Sequence, residues 1–227
     1  MILRPDYIKR LKKLENLEFN NWSIKDKLIH YISDFSRGNL YEDVTQIDFN
    51  ALYPTILIGL FEAGLLEEKW KEDIDRVEWF LKNRKELKML AKTSKTGTSE
   101  YEKWKIHCNS LYMKIKSPYV VEYMNIFYSD LIDKYGNKVI YTDVDLLLLN
   151  IKRVDFQSSE IIPELKDFNH DITFINYFYA EELKKYIKQD EFGEITTCGF
   201  RDETKKEYLL NLIKREIRRR KLDNLGI

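Results

Sequence analysis

The stretch Val139 to Leu149 reads V-I-Y-T-D-V-D-L-L-L-L, β-branched and leucine-rich on both sides of a pair of acids. No other part of the chain constrains the fold as tightly. Residues of that kind favour strands, so the stretch predicts a strand, an acidic turn and a returning strand. Asp143 and Asp145 alternate along it, and both cannot be solvated surface unless the hairpin tip is exposed. Val44 to Phe49 reads as a further strand, one that must stop at Pro54, and it carries Asp48 near its end. A carboxylate at the end of a buried strand, just before a tight turn, is where a chain can hold a divalent cation with oxygen ligands. If the two strands are neighbours, Asp48 and Asp145 can face each other across a metal pair. Two metals on the order of 3.5 to 4 Å apart activate an attacking hydroxyl and stabilise a leaving pyrophosphate. The alternative keeps Asp48 as a turn cap and the other two acids as hairpin decoration.

Around these strands the pattern is mostly helical. Asp6 to Leu17 and Ile24 to Phe35 carry apolar residues at three- and four-residue spacing and predict two short helices. Trp70 to Lys92 predicts a long helix with Val77, Phe80, Leu81, Leu87 and Leu90 as its apolar stripe. Thr93 to Ser99 reads as a helix-breaking tip, after which Tyr101 to Lys114 runs back to complete a helical hairpin. Tyr119 to Tyr135 is a further helix closed by Gly136-Asn137. Ile172 to Phe178 fits a strand or a helix start, and Lys185 to Ile187 and Ile195 to Gly199 read as strands flanking a turn at Asp190 to Glu194. Lys205 to Leu225 predicts a basic amphipathic helix with Leu209, Leu212, Ile213 and Ile217 on one face.

A hydrophobic share of 44% with 33% charged residues excludes a disordered chain. The greasiest stretch, Leu52 to Leu66, is interrupted by Pro54, Glu62 and two glycines and falls short of the roughly 20 residues that span a bilayer. With charged sequence close behind the initial methionine, the expectation is a cytosolic chain with no membrane partner. Cys108 and Cys198 have no histidines at metal-ligand spacing and read as reduced packing residues. Net charge is zero, so binding of a polyanion would depend on local clusters: Lys9 to Lys13, Lys82 to Lys95, Lys184 to Lys188 and Lys205 to Lys221. Any one of these, alone, is ordinarily a solvated helix face.

Two of the clusters carry a pattern. Arg84 and Lys88 are four apart and share a helix face, and Lys105 sits four residues before Asn109-Ser110-Leu111-Tyr112. Three cations converging from two antiparallel helices would form a cradle for a triphosphate. Singly, each is an ordinary surface cation.

Taken in order, these segments resemble the family B DNA polymerases. Their first palm motif, D-x-x-S-L-Y-P-S-I, is similar to Asp48 to Ile56, with Ala51 and Thr55 in place of the two serines. Their fingers pattern resembles Arg84 to Lys88, and K-x-x-x-N-S-x-Y-G resembles Lys105 to Met113, with Met113 for the final glycine. Y-x-D-T-D is similar to Tyr141 to Asp145, with Val144 for threonine. Lys184-Lys185-Tyr186 resembles the K-K-R-Y segment, and Arg37-Gly38 stands near the family's Gly-Gly turn. Four motifs in one order make chance agreement a poor explanation.

The resemblance implies an α+β fold: an antiparallel palm sheet backed by helices, with a helical-hairpin fingers insertion. It divides the chain into an N-terminal helical segment (1–35), palm (36–60 and 105–200), fingers (61–104) and a basic C-terminal helix (201–227), a thumb remnant or an interface. It also implies template-directed addition of deoxynucleotides to a primer 3′ end with two magnesium ions, manganese being the alternative. Asp48, Asp145 and the Phe49 carbonyl would ligate metal, with Asp143 nearer the primer terminus. Arg84, Lys88 and Lys105 would hold the triphosphate, and Tyr53 would close the sugar pocket. Asn109 and Tyr112 would line the nascent base pair, and Lys184, Lys185 and Tyr186 would grip primer DNA.

The stretch before Asp48 has no D-x-E pattern and is short for an exonuclease domain. The partners expected are primer-template DNA and deoxynucleoside triphosphates, and either a separate protein supplies exonuclease or thumb functions or the chain is a minimal, distributive polymerase. The rival readings are a catalytically inactive polymerase-like scaffold and a primase-like enzyme. Tyr53 at the sugar gate argues against the second.

Overall fold

The computed structural model describes residues 3–14, 31–32, 38–115, 117–143, 145–153, 170–182, 185–199 and 204–224. They fall into two compact units, one helical and one built on a sheet.

The helical unit holds helices α1 (Pro5–Lys12), α2 (Leu52–Glu62), α3 (Lys71–Thr93), α4 (Lys95–Ile115) and the body of α5 (Pro118–Tyr135), which leaves the unit after Ser129. In α1 proline opens the first turn, Asp6 lies at the positive end of the helix dipole, and Lys9, Arg10 and Lys12 lie at the negative end. Its Tyr7 and Leu11, one turn apart, are buried, and the Tyr7 ring meets Tyr123 of α5 edge-on at 5.4 Å. Helix α2 is apolar almost all round, with Leu52, Pro54 and every residue from Ile56 to Leu60 buried, as befits a central helix. Pro54 sits in its first turn, where no backbone donor is needed. Gly59 is required there for space: a Cβ would come within 2.2 Å of Leu3.

Helices α3 and α4 pair through rings, Trp79 with Trp104 at 5.1 Å and Phe80 with Trp104 and Tyr101 at 6.2 and 6.0 Å. The expected helical hairpin is present, but its tip is a single residue. Ser94 Oγ accepts a hydrogen bond from the Gly97 amide at 2.9 Å, so the Thr/Ser/Gly segment that reads as a breaker in fact caps and opens α4. Gly97 matters again by its bareness, since a Cβ would meet the Leu90 carbonyl oxygen at 2.5 Å. Leu90, placed by sequence on the apolar stripe, is exposed at this end of the hairpin.

Among the described residues the sheet unit has seven antiparallel strands: β1 (Tyr31–Ile32), β2 (Leu40–Phe49), β3 (Val139–Asp143), β4 (Leu146–Leu149), β5 (His170–Glu182), β6 (Lys185–Asp190) and β7 (Ile195–Cys198). Their order is β1-β3-β4-β2-β5-β6-β7. With helices and an antiparallel sheet segregated along the chain, the fold class is α+β, as the sequence predicts. Tyr31 and Ile32 fall inside a predicted helix but pair with Tyr141 and Thr142; the rest of that predicted helix lies outside the described residues. The predicted palm boundaries run across both units.

Strand β2 turns its faces part-way along. Asp43 takes a left-handed φ of 54°, and β5 is irregular at the same level, between Ile175 and Tyr177. Tyr41, Val44, Ile175 and Phe178 thereby share one core with Ile140, Tyr141, Leu146, Leu148, Ala180 and Tyr186. On the opposite face Ile187, Leu40, Tyr177 and Ile195 receive Leu209 and Ile213 of α6 (Thr204–Asn224). Lys214, Arg215, Arg218 and Arg219 of α6 are exposed. At the β6–β7 turn Asp190 Oδ1 accepts from the Phe192 and Glu194 amides, fixing the predicted turn as an Asx motif. Among the described residues no helix is long and apolar enough to cross a membrane.

Candidate active site

Three strands bring the acids to one end of the sheet. Leu146 of β4 pairs with Asp143 on one side and with Asp48 on the other, so the three residues form a row across β3, β4 and β2. Residues directly opposite share a face, which makes Asp48 and Asp143 neighbours on the aromatic side, two strand spacings apart, or roughly 10 Å at the backbone. Strands β2 and β4 are neighbours, and the Phe49 amide donates to the Asp145 carbonyl at 2.8 Å, tying the end of β2 to the acidic turn. Val144 lies outside the described residues. Pro54 does not set the strand end; β2 stops at Phe49, and Ala51, with a left-handed φ of 53°, turns the chain into α2.

The electrostatics follow from this crowding. Asp145 is an exposed residue at the turn, yet its carboxyl group is hemmed in by protein, and that desolvation raises its pKa above the usual carboxylate value. A backbone hydrogen bond opposes the shift, and the charges of Asp48 and Asp143 add to it. Tyr186 is pushed up to about 12, first by burial, then by Cys198 and the three acids. It stands beside the carboxylates in a ring cluster with Tyr141 and Phe178, at 5.5 and 5.7 Å.

A carboxyl whose pKa is raised on folding is penalised wherever it is ionised. Asp145→Asn should therefore raise the melting temperature of the metal-free protein at neutral pH. The gain should shrink as pH falls from the raised value toward the unfolded one, about 3.9, where both states are protonated. Thermal melts of both proteins across that range check the sign.

The donor set, carboxylates and a strand-end carbonyl, is what a hard divalent cation takes, and the charge crowding that Asp48 and Asp143 impose on Asp145 would be relieved by such an ion. Among the described residues, however, no group of three or more histidine, cysteine, aspartate or glutamate side chains converges closely enough to hold a metal.

Two residues to which the sequence assigns no site role stand here. Gln46 donates to Asp48 Oδ2 at 2.5 Å, and Lys188 of β6 donates to Gln46 Oε1 at 2.6 Å. Burial lowers the Lys188 pKa, while Asp48 and Asp190 pull it back up. The sequence marks Lys188 only as the end of the basic cluster Lys184 to Lys188, and its partner lies on a strand that is not even its neighbour.

The cations predicted to hold a triphosphate all lie in the helical unit. Arg84 of α3 donates to Asn50 Oδ1 at 3.5 Å, and burial raises the nearby Cys108 thiol to about 11 against the pull of that guanidinium. Lys88 is exposed one turn further on, and Lys105 of α4 is exposed with Glu102 at 3.9 Å. Tyr53 is half-buried in the first turn of α2. Asn109 and Tyr112 lie on α4, their side chains outside the description, as Lys184 is altogether. Lys185 pairs with Glu181, and Gly38 donates its amide to Ala180 at 2.8 Å while Arg37 is not described.

No protein-family model matches the chain. A relative named DNA polymerase, from Thermococcus sp. strain 9oN-7, is 27% identical over 224 aligned positions that cover 74% of this chain and 28% of that protein. Among solved structures, the family B DNA polymerase from the hyperthermophilic archaeon Pyrobaculum calidifontis matches 85% of this chain with a TM-score of 0.51 and 16% identity, over 32% of its own length. This chain has the fold of the family B DNA polymerases. It spans less than a third of the length of either. Phi29 DNA polymerase, solved with primer-template DNA and incoming nucleotides, covers 89% of this chain and 61% of its own at 13% identity, but its TM-score of 0.48 adds nothing to the comparison.

Proposed function

We propose that this chain is the catalytic core of a template-directed DNA polymerase, adding deoxynucleotides to a primer 3′ end. The observation that carries the reading is the row Asp143–Leu146–Asp48 with Asp145 tied to the end of β2, which gathers carboxylates from separate segments at one sheet end. Asp48, Asp145 and the Phe49 carbonyl would hold divalent cations. Two bound magnesium or manganese ions would supply Lewis acidity for the attacking and leaving oxygens. In the reaction the primer 3′ hydroxyl would lose its proton to solvent and its oxygen would bond to the α-phosphorus, while the bond from that phosphorus to the bridging β-phosphate oxygen breaks and pyrophosphate leaves with the electron pair.

The chain's own residues would position the reactants and screen charge. Arg84 is suited to fork-shaped contact with phosphate oxygens, and Lys88 and Lys105 add point charges. Asp143 would sit nearer the primer terminus. Asn109 and Tyr112 would border the base pair, and Lys184, Lys185, Tyr186 and the arginines of α6 would meet DNA backbone. Most of the catalysis would then be orientation and preorganised electrostatics. Primer-template DNA and deoxynucleoside triphosphates are the partners. The test is primer extension by the purified chain with magnesium and either nucleotide set. Labelled primer should lengthen with deoxynucleotides.

A catalytically inactive polymerase-like scaffold is the second reading. Favouring it is the absence, among the described residues, of a carboxylate trio close enough to hold metal. DNA binding without extension decides for it.

Sugar choice gives an independent check. Tyr53 follows the left-handed Ala51 at the mouth of α2, and its ring would occupy the volume that a ribose 2′-oxygen needs. Tyr53→Ala should raise ribonucleotide incorporation relative to deoxynucleotide by about tenfold or more, the discrimination a small steric clash commonly provides. An unchanged ratio in single-nucleotide extension would move the gate elsewhere and favour the primase-like reading.

A further inference from the structure

Strand β5 separates β2 from β6, yet Lys188 reaches across it to Gln46. The contacts run in one line: Lys188 Nζ to Gln46 Oε1 at 2.6 Å, then Gln46 Nε2 to Asp48 Oδ2 at 2.5 Å. Gln46 is 5% exposed. An ammonium can only donate and an ionised carboxylate can only accept, so a carboxamide between them has a single orientation that satisfies both. The lysine fixes which end of the amide faces Asp48, and the amide in turn holds one carboxylate oxygen. A lysine bonded directly to Asp48 would compete with a cation for the same oxygens. With the amide between them, Asp48 is oriented while the ammonium stays one link away.

We propose that Gln46 and Lys188 are positioning residues for Asp48, committing its Oδ2 to the protein so that the other oxygen is presented to a divalent cation. This rests on the reading of Asp48 as a metal ligand. Partners of this kind, bonded to a ligand rather than to the metal, are worth about 10- to 100-fold in metal affinity.

The test is calorimetric titration of Mn²⁺ into the substrate-free protein, with urea melts of each variant and primer extension as a separate readout. Gln46→Met and Lys188→Met keep the buried volume and should each weaken Mn²⁺ binding about tenfold. The double variant should bind no more weakly than Gln46→Met alone, because the two act through one link. Lys188→Arg, which can still donate to the amide, should recover most of the affinity. Urea midpoints should not rank the variants in the same order, as they would if the effect were loss of fold.

Unchanged or tighter binding in Lys188→Met would mean that the lysine is only a nearby positive charge, and additive losses in the double variant would break the relay; either result overturns the proposal. Asp48→Ala separates the two levels of inference. If it loses Mn²⁺ binding while the Gln46 and Lys188 variants do not, positioning fails and the polymerase reading stands. If it binds Mn²⁺ as the parent does, Asp48 is no ligand and both fail.

Discussion

Asp48→Ala and Asp145→Ala should each abolish primer extension while leaving a folded protein. Each substitution removes a side chain argued to hold a cation where charge develops during phosphoryl transfer. Several kcal/mol of transition-state stabilisation is then lost, on the order of a thousandfold in rate. The fold should survive because neither carboxylate is part of the core: Asp145 is exposed at the turn and Asp48 is only part-buried at the strand end. Relief of like-charge crowding works in the same direction for Asp145. Asp143→Ala should be milder, since its strand is separated from β2 by β4. Extension assays on variants matched by circular dichroism decide the matter. Substantial activity in either well-folded Asp48 or Asp145 variant would sink the two-metal assignment.

Phe178→Ala should produce the largest loss of stability. Phe178 is fully buried between Tyr141 and Tyr186, with ring centroids 5.6 and 5.7 Å away, in the aromatic core of the sheet. Truncating a buried phenylalanine to alanine costs about 3–5 kcal/mol through lost burial and the cavity left behind. Domains are stable by only about 5–15 kcal/mol, so the variant should sit near the edge of folding. Phe178→Leu keeps most of the side-chain volume and should cost much less. Phe192, 88% exposed at the β6–β7 turn, is the internal control, and its alanine variant should stay within about 0.5 kcal/mol of the parent. Equilibrium urea denaturation measures all three. A shift for Phe178→Ala no larger than that of Phe192→Ala would mean that the ring cluster does not support the sheet.

Several elements were legible from the chain because their signal is local. The hairpin at Val139 to Leu149 follows from apolar runs too short for helices with acids at the bend, and α5 follows from its apolar spacing and the Gly136 stop. The turn at Asp190 was readable because one aspartate can satisfy the amides beyond it. The Thr93 to Ser99 segment misleads for the converse reason. Serine, threonine and glycine favour breaks, but Ser94 in the cap position begins a helix, and only the close approach of Gly97 to Leu90 distinguishes the two outcomes.

The identities of the acids, their order along the chain and the strand character of the segments carrying them were determined by sequence alone. Alternation and apolar content act over a few residues and need no knowledge of neighbours. Which strands adjoin, that β4 lies between Asp143 and Asp48, and that Lys188 reaches Gln46 were decided only by the tertiary structure. Strand order and the reversal of faces at Asp43 depend on contacts between residues far apart in sequence, and a lysine or glutamine reads the same on any solvated strand until a sheet sets its partner beside it.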